Sequence, residues 1–213
     1  MNTDRLIAML AMGEGCTVAM RPGRRLSAAA ATGAILATPL MLSMVGLNPD
    51  LAAMARVPMF WVKFAYVAVL AFGAGLLAVR LARPGVRLAR APLLAASPVV
   101  VMWMLAALAL AVTAPEGRPA LIMGGTWVAC PVNILLLSVP ALFTALWAMR
   151  SCAPTRPRWA GAAAGLLAGA IGALVYTLHC PELAAPFLGI WYVLGMLAPA
   201  LLGATVGPRV LNW

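Results

Sequence analysis

Two cysteine–proline pairs and a single histidine are the residues whose chemistry differs most from the rest of this chain. Cys130 and Pro131 open the fourth of six apolar runs, and the segment His179-Cys180-Pro181-Glu182 lies near the end of the fifth, about 50 residues later. Two thiols can form a disulfide, stay as buried free cysteines or, with a histidine and a carboxylate, bind a soft metal ion. The sequence therefore has one candidate chemical site.

The six apolar runs that carry this site are predicted to cross a membrane. The chain is 64% hydrophobic and only 9% charged, whereas a soluble domain of its length needs far more surface charge. Apolar runs of about 20 residues match the hydrocarbon thickness of a bilayer. We predict an all-α integral membrane bundle, embedded in the lipid bilayer, with spans at about 26-47, 57-79, 91-112, 127-148, 159-178 and 186-206.

A polar tail, residues 1-25, precedes the predicted membrane domain, residues 26-213. The tail is predicted to begin with a short amphipathic helix, because Thr3 can cap it and Asp4 favours the positive end of the helix dipole. Its apolar face comprises Leu6, Ile7, Met9 and Leu10. From this pattern alone, a helix lying on the membrane surface is favoured over a peptide that docks in a partner's groove.

The basic residues determine the predicted orientation of the bundle. Of the 15 Lys and Arg residues, twelve fall on the side of both termini, and Arg56, Lys63 and Arg118 fall on the other side. Positive charge accumulates in cytoplasmic loops, so both termini are predicted in the cytoplasm and the two cysteine–proline pairs outside. Lys63, near the outer end of the second span, is predicted to snorkel outwards. The basic loops account for the net charge of +10, and we predict no direct nucleic-acid binding.

The four cysteines allow three pairings into two disulfides. Cys16 and Cys152 fall on the cytoplasmic side, so Cys130–Cys180 is the pair that can form in an oxidising compartment. Because side chains of adjacent residues such as His179 and Cys180 rarely converge on one ion, we prefer a disulfide-capable pair to a metal site. Inert buried thiols remain the alternative.

Three polar residues are predicted to support this pair. His179 and Glu182 flank Cys180 in the sequence. Asn133 lies one turn from Cys130 on the same helix face, where its amide can hydrogen-bond across helices.

The fifth span contains glycines four residues apart, at Gly161, Gly165 and Gly169. This spacing lets helix backbones approach closely. A homodimer through these glycines is possible, but packing within the same bundle is the preferred interpretation.

The sequence favours a protein that is not an enzyme and that needs no cofactor. No span carries Asp, Glu or Arg at its middle, and the chain has no phosphate-binding loop, zinc-protease motif or CxxC motif. Two other classes remain open. A small transporter or channel subunit would line its pathway with Lys63 and Asn133. A membrane thiol oxidoreductase would use Cys130 and Cys180, although the missing CxxC disfavours it.

Three blocks of the sequence together resemble the NrsF-type membrane anti-sigma factors. The first is Thr3-Asp4-x-Leu6-Ile7-x-x-Leu10, and the second is Cys130 in the fourth span. The third begins with His179-Cys180-Pro181-Glu182 and continues with Phe187, Trp191-Tyr192-x-Leu194-Gly195-Met196 and Pro199. The resemblance covers the whole chain, including the number of spans and the loop lengths.

The resemblance implies a protein that holds an extracytoplasmic-function sigma factor at the bacterial inner membrane. The tail would bind the sigma factor and block its assembly with the RNA polymerase core. An outer signal, sensed by the membrane domain at the paired cysteines, would release it. The resemblance thus reverses the preference for the tail, whose expected sigma-binding residues are Thr3, Asp4, Leu6, Ile7 and Leu10.

Overall fold

The computed structural model describes residues 3–4, 21–83, 85, 87–152 and 154–212. Six helices in these ranges are long and apolar enough to cross a membrane: α1 Pro22–Met44, α2 Pro58–Leu81, α3 Ala91–Val112, α4 Ala129–Arg150, α5 Pro157–Tyr176 and α6 Ala185–Val210. The predicted all-α bundle with six membrane-spanning helices is confirmed. Shorter helices cover Leu51–Met54 and Arg118–Met123.

Proline in the first turn marks the start of most of these helices. It occupies the first or second position of α1, α2, α3, α5 and α6. Its fixed φ suits a first turn, whose N–H groups have no intrahelical partner in any case. This signal places the start of α1 at Pro22, so Arg24 and Arg25 lie inside the helix rather than in the tail that was predicted to end at residue 25.

Helix α5 lies at the centre of the bundle. It packs against α1, α2, α4 and α6, and 78% of its most apolar 18-residue stretch is buried, compared with 17% for that of α3 at the periphery. Alanine and glycine occupy nearly all faces of α5, so four neighbouring helices can approach its backbone closely. The exposed large side chains of the other helices, such as Phe143 and Leu201, face outwards towards lipid.

The glycines of α5 pack against α6 of the same chain. A Cβ atom at Gly161 or Gly165 would overlap the backbone of Gly203 or Pro199, and one at Gly169 would lie 2.7 Å from the carbonyl oxygen of Met196. The preferred interpretation, packing within the same bundle, is confirmed, and α6 occupies the surface that a homodimer through these three glycines would need.

Most of the predicted tail lies outside the described residues. Thr3 and Asp4 are helical and exposed. The amphipathic face formed by Leu6, Ile7 and Leu10 belongs to the residues that the structure does not describe, so the predicted amphipathic helix stays a prediction.

We expect Gly165→Ala to destabilise the α5–α6 contact. The added methyl group meets backbone atoms that cannot rotate away, and such overpacking typically costs about 1–3 kcal/mol, or about 3–10 °C in the thermal midpoint of a chain this size. Gly75→Ala is the matched control, because its added methyl group meets only the Cδ1 atom of Leu167 at 3.8 Å. Thermal unfolding of both purified variants measures the effect, and equal midpoints would contradict the packing described here.

Candidate functional site

The loop between α5 and α6, residues 177–184, carries the predicted chemical site. It leaves α5 as a tight turn, in which the amide of Cys180 donates to the carbonyl oxygen of Tyr176 at 3.0 Å. Pro181 follows and cannot continue the turn as a helix, since it has no N–H to donate. Cys180 is fully buried by this turn, at the end of the bundle where α2, α4 and α6 begin.

Lys63 of α2 is bound to this loop inside the bundle. Its ammonium group donates to the carbonyl oxygens of Cys180 at 2.8 Å and Glu182 at 3.1 Å. It also lies 5.2 Å from the centre of the Tyr192 ring, in a cation–π arrangement. Its side chain is 0% exposed, so the prediction that Lys63 snorkels outwards is wrong. The two carbonyls and the ring replace the water that a buried ammonium loses.

The structure brings Cys130 and Cys180 together across α4 and the α5–α6 loop. Both are completely buried free thiols, and they belong to one cluster of packed buried residues. The disulfide itself stays a prediction.

The surroundings of Cys180 favour its ionised form. The pKa of the Cys180 thiol lies below its ordinary value, first because the Cys130 side chain hydrogen-bonds to it. Burial opposes this shift, whereas the positive charge of Lys63 and the hydroxyl group of Tyr192 reinforce it. A thiol with these neighbours is the more nucleophilic member of the pair.

His179 binds the loop that follows α1 and does not bind the cysteines. Its Nδ1 atom lies 3.0 Å from the carbonyl oxygen of Gly46, which can only accept, so Nδ1 carries the proton in this contact. The side-chain amide of Asn48 donates to the carbonyl oxygen of His179 at 3.1 Å. His179 therefore anchors the α5–α6 loop to the chain that connects α1 and α2.

Glu182 binds the segment that leads into α4. Its carboxylate accepts the backbone N–H of Gly125 at 2.7 Å. The neighbouring Gly124 has a positive φ of 56°, and a Cβ atom there would lie 2.7 Å from the carboxyl carbon of Glu182. Glycine is thus required at Gly124 both by the backbone conformation and by the close approach of this side chain.

Asn133 forms the predicted hydrogen bond between helices, and the bond is long. Its amide donates to the Tyr176 hydroxyl of α5 at 3.4 Å. Among the described residues, no three His, Cys, Asp or Glu side chains are arranged to hold a metal ion.

Sequence reasoning missed the aromatic part of the site. Tyr192 is completely buried beside Lys63 and in the same cluster as Cys180, and its hydroxyl group, like that of Tyr66, has no hydrogen-bond partner among the described residues. The π-helical turn Leu188–Tyr192 alters the register of α6, so that both of its end residues face inwards. The signal available in the sequence was Lys63, since an ionisable residue within a span indicates a functional site.

Comparison with known proteins decides the family. A sequence profile described as "Negative regulator of sigma F" matches residues 10–213. The chain belongs to this family, NrsF. The resemblance inferred from the cysteine-bearing motifs is thereby confirmed.

Two curated proteins of the NrsF family match along their whole length. The "Probable anti-sigma-F factor NrsF" of Azospira oryzae is 47% identical over 213 residues, which is all of both chains. The "Anti-sigma-F factor NrsF" of Caulobacter vibrioides is 40% identical over 215 aligned residues, again covering both chains completely. No solved structure matches the chain significantly.

We expect Glu182→Ala to loosen the segment before α4. A hydrogen bond to a charged group contributes about 1.5–3 kcal/mol, so amide exchange of Gly125 should accelerate by at least about tenfold. Glu116→Ala is the control, because Glu116 is exposed in the short helical turn Pro115–Gly117. Hydrogen–deuterium exchange measured by mass spectrometry compares the two variants. Unchanged exchange at Gly125 in Glu182→Ala would show that this carboxylate does not hold the segment.

Proposed function

We propose that this chain is a membrane anti-sigma factor of the bacterial inner membrane. It would hold a sigma factor of the extracytoplasmic-function class through the tail, residues 1-25, and release it in response to a signal at Cys130 and Cys180. The observation that carries the proposal is the similarity, over the full length, to proteins named as anti-sigma-F factors. The proposed role is regulatory binding rather than catalysis.

The distribution of basic residues supports a cytoplasmic position for the tail. Twelve of the 15 Lys and Arg residues fall on the side of the termini, as expected for cytoplasmic loops. In this orientation the tail meets the cytoplasmic sigma factor, and the α5–α6 loop faces the opposite compartment. The signal and the bound partner are then on different sides of the membrane.

The tail would bind through a small apolar surface. Leu6, Ile7 and Leu10 fall on one face of the predicted helix, and Asp4 is available to pair with a basic residue of the sigma factor. Asp4 is exposed in the structure, as is Thr3. Because the surface is short, a few buried leucine and isoleucine contacts would supply most of the binding free energy.

The α5–α6 loop would be the sensor, because several parts of the chain meet there. It binds Gly46 and Asn48 after α1, Lys63 of α2 and Gly125 before α4. A change in the bonding of Cys130 or Cys180 would disturb these contacts together.

The central helix α5 would carry such a change to the other end of the bundle. It joins the cysteine-bearing loop directly and packs along α1, which continues from the tail. To act as a switch, the modified thiols must favour one of two bundle arrangements by a few kcal/mol.

We expect the double substitution Leu6→Ala and Leu10→Ala to release the sigma factor. Truncating a large apolar side chain in a desolvated contact costs about 2 kcal/mol or more, so the pair should weaken binding by about three orders of magnitude. Co-purification of the sigma factor with the full-length protein measures the loss.

The double substitution Leu108→Ala and Leu201→Ala is the matched control. These leucines are 63% and 67% exposed on the outer surface of the bundle and should not affect retention of the sigma factor. Full retention by the tail variant would exclude the tail as the docking element, provided that both variants reach the membrane in equal amounts.

A further inference from the structure

Lys63 is the one charged side chain that the structure buries completely among its described residues. Both of its hydrogen-bond acceptors are neutral carbonyl oxygens. A buried cation is strongly disfavoured unless a negative charge compensates it. Lys63 is therefore either a neutral amine or an ammonium paired with an anion beside it, and the groups around it decide between the two.

The Glu182 carboxylate does not bind the ammonium directly. Glu182 contributes its backbone carbonyl to Lys63, whereas its carboxylate accepts the N–H of Gly125 and acts on the ammonium only through space. The groups left beside the ammonium are the thiols of Cys180 and Cys130 and the ring of Tyr192. Of these, a cysteine thiol ionises most readily.

Three side chains lie beside Cys180 in the interior of the bundle. Lys63 binds the carbonyl oxygen of Cys180 at 2.8 Å and lies 5.2 Å from the centre of the Tyr192 ring, and Cys130 and Tyr192 belong to the same cluster of buried residues as Cys180. The Tyr192 hydroxyl is completely buried and has no hydrogen-bond partner among the described residues. A thiolate at Cys180 would accept from these groups, whereas a neutral thiol would leave the Tyr192 donor and the Lys63 charge uncompensated.

We infer that Lys63 is a positioning residue that holds Cys180 as a thiolate, which makes Cys180 the attacking sulfur of the pair towards soft electrophiles. The inference deepens the proposed function, because it concerns the same sensor site. It assigns separate tasks to three residues. Cys180 reacts, Cys130 donates to it, and Lys63 of α2 supplies the compensating charge.

The same arrangement connects the reaction of Cys180 to the position of α2. When an electrophile bonds to the sulfur, the negative charge on Cys180 disappears and the ammonium keeps only the two carbonyls and the Tyr192 ring as direct contacts. The other titratable groups at this site are Tyr66 of α2, Tyr176 of α5 and the side chains of His179 and Glu182 in the loop. Neither His179 nor Glu182 hydrogen-bonds to the sulfur through its side chain.

Alkylation by iodoacetamide tests the assignment. The thiolate attacks the iodinated carbon, the C–S bond forms, the C–I bond breaks, and iodide leaves. The full-length protein with Cys16→Ser, Cys130→Ser and Cys152→Ser retains Cys180 as its single thiol, and a serine hydroxyl replaces the donor at position 130. In lipid nanodiscs, the rate is measured between pH 6 and pH 10 by intact mass.

We expect the rate to change little with pH above neutrality when Lys63 is present. Lys63→Met, which keeps the length and removes the charge, should slow alkylation at pH 7 by about tenfold or more. The rate should then rise with pH until it approaches that of the parent, because a higher pH restores the thiolate. Loss of the cation raises the pKa of the Cys180 thiol. The difference in alkylation rate between Lys63→Met and the parent is therefore largest at low pH.

Lys63→Arg keeps the positive charge but changes the shape of the side chain. Its alkylation rate at pH 7 should therefore stay within about threefold of the parent rate. A Lys63→Met variant with the parent's pH profile would overturn the assignment. An Arg variant that is alkylated as slowly as the Met variant would also overturn the assignment, provided that its thermal midpoint equals that of the parent. The charge at position 63 would then not be the cause of the fast alkylation.

The measurement is independent of the sigma factor. If alkylation follows this pattern but Cys180→Ser leaves sigma release unchanged, the thiolate assignment stands and the proposed sensor role fails. If Cys180→Ser abolishes release but the Lys63 variants alkylate like the parent, the sensor role stands and the role of Lys63 fails.

Discussion

The hydrogen bonds from the Lys63 ammonium to the carbonyls of Cys180 and Glu182 determine how the cysteine-bearing end of the bundle is built. A lysine near the end of a span would ordinarily extend to water. Here the α5–α6 loop folds over it and supplies the acceptors that water would have supplied. The loop is thereby bound to α2, and its remaining polar groups face Gly46 and Gly125.

The two ends of the bundle are held by different kinds of interaction. At the cysteine-bearing end, polar contacts join the α5–α6 loop to the segments around it. Away from this loop, α5 and α6 meet through glycine and alanine, whose backbones are in van der Waals contact. Such a contact is rigid because no side chain can rearrange to absorb a displacement. A shift that starts at the loop would therefore move α5 and α6 as a unit rather than fade along them.

The sequence predicted the six helices and the common position of the two cysteines for clear physical reasons. Span length and hydropathy set the six helices, and short connections placed Cys130 and Cys180 at the same end. It did not predict the direction of Lys63, because that depends on carbonyls more than 100 residues away in the chain. The inward position of Tyr192 also depends on a local π-helical turn that periodicity cannot reveal. The glycines of α5 allowed either a dimer or an internal contact, and only the position of α6 distinguishes them.

The central claim is that the buried thiols control the hold of the tail on the sigma factor. It is tested most directly with the sigma factor bound to full-length protein in proteoliposomes, in a background of Cys16→Ser and Cys152→Ser. After treatment with iodoacetamide, the account predicts release of the sigma factor from the protein that retains Cys130 and Cys180. It predicts no release from the Cys130→Ser, Cys180→Ser variant. Equal release from both proteins, or complete retention by the cysteine-containing protein after verified alkylation, would contradict it.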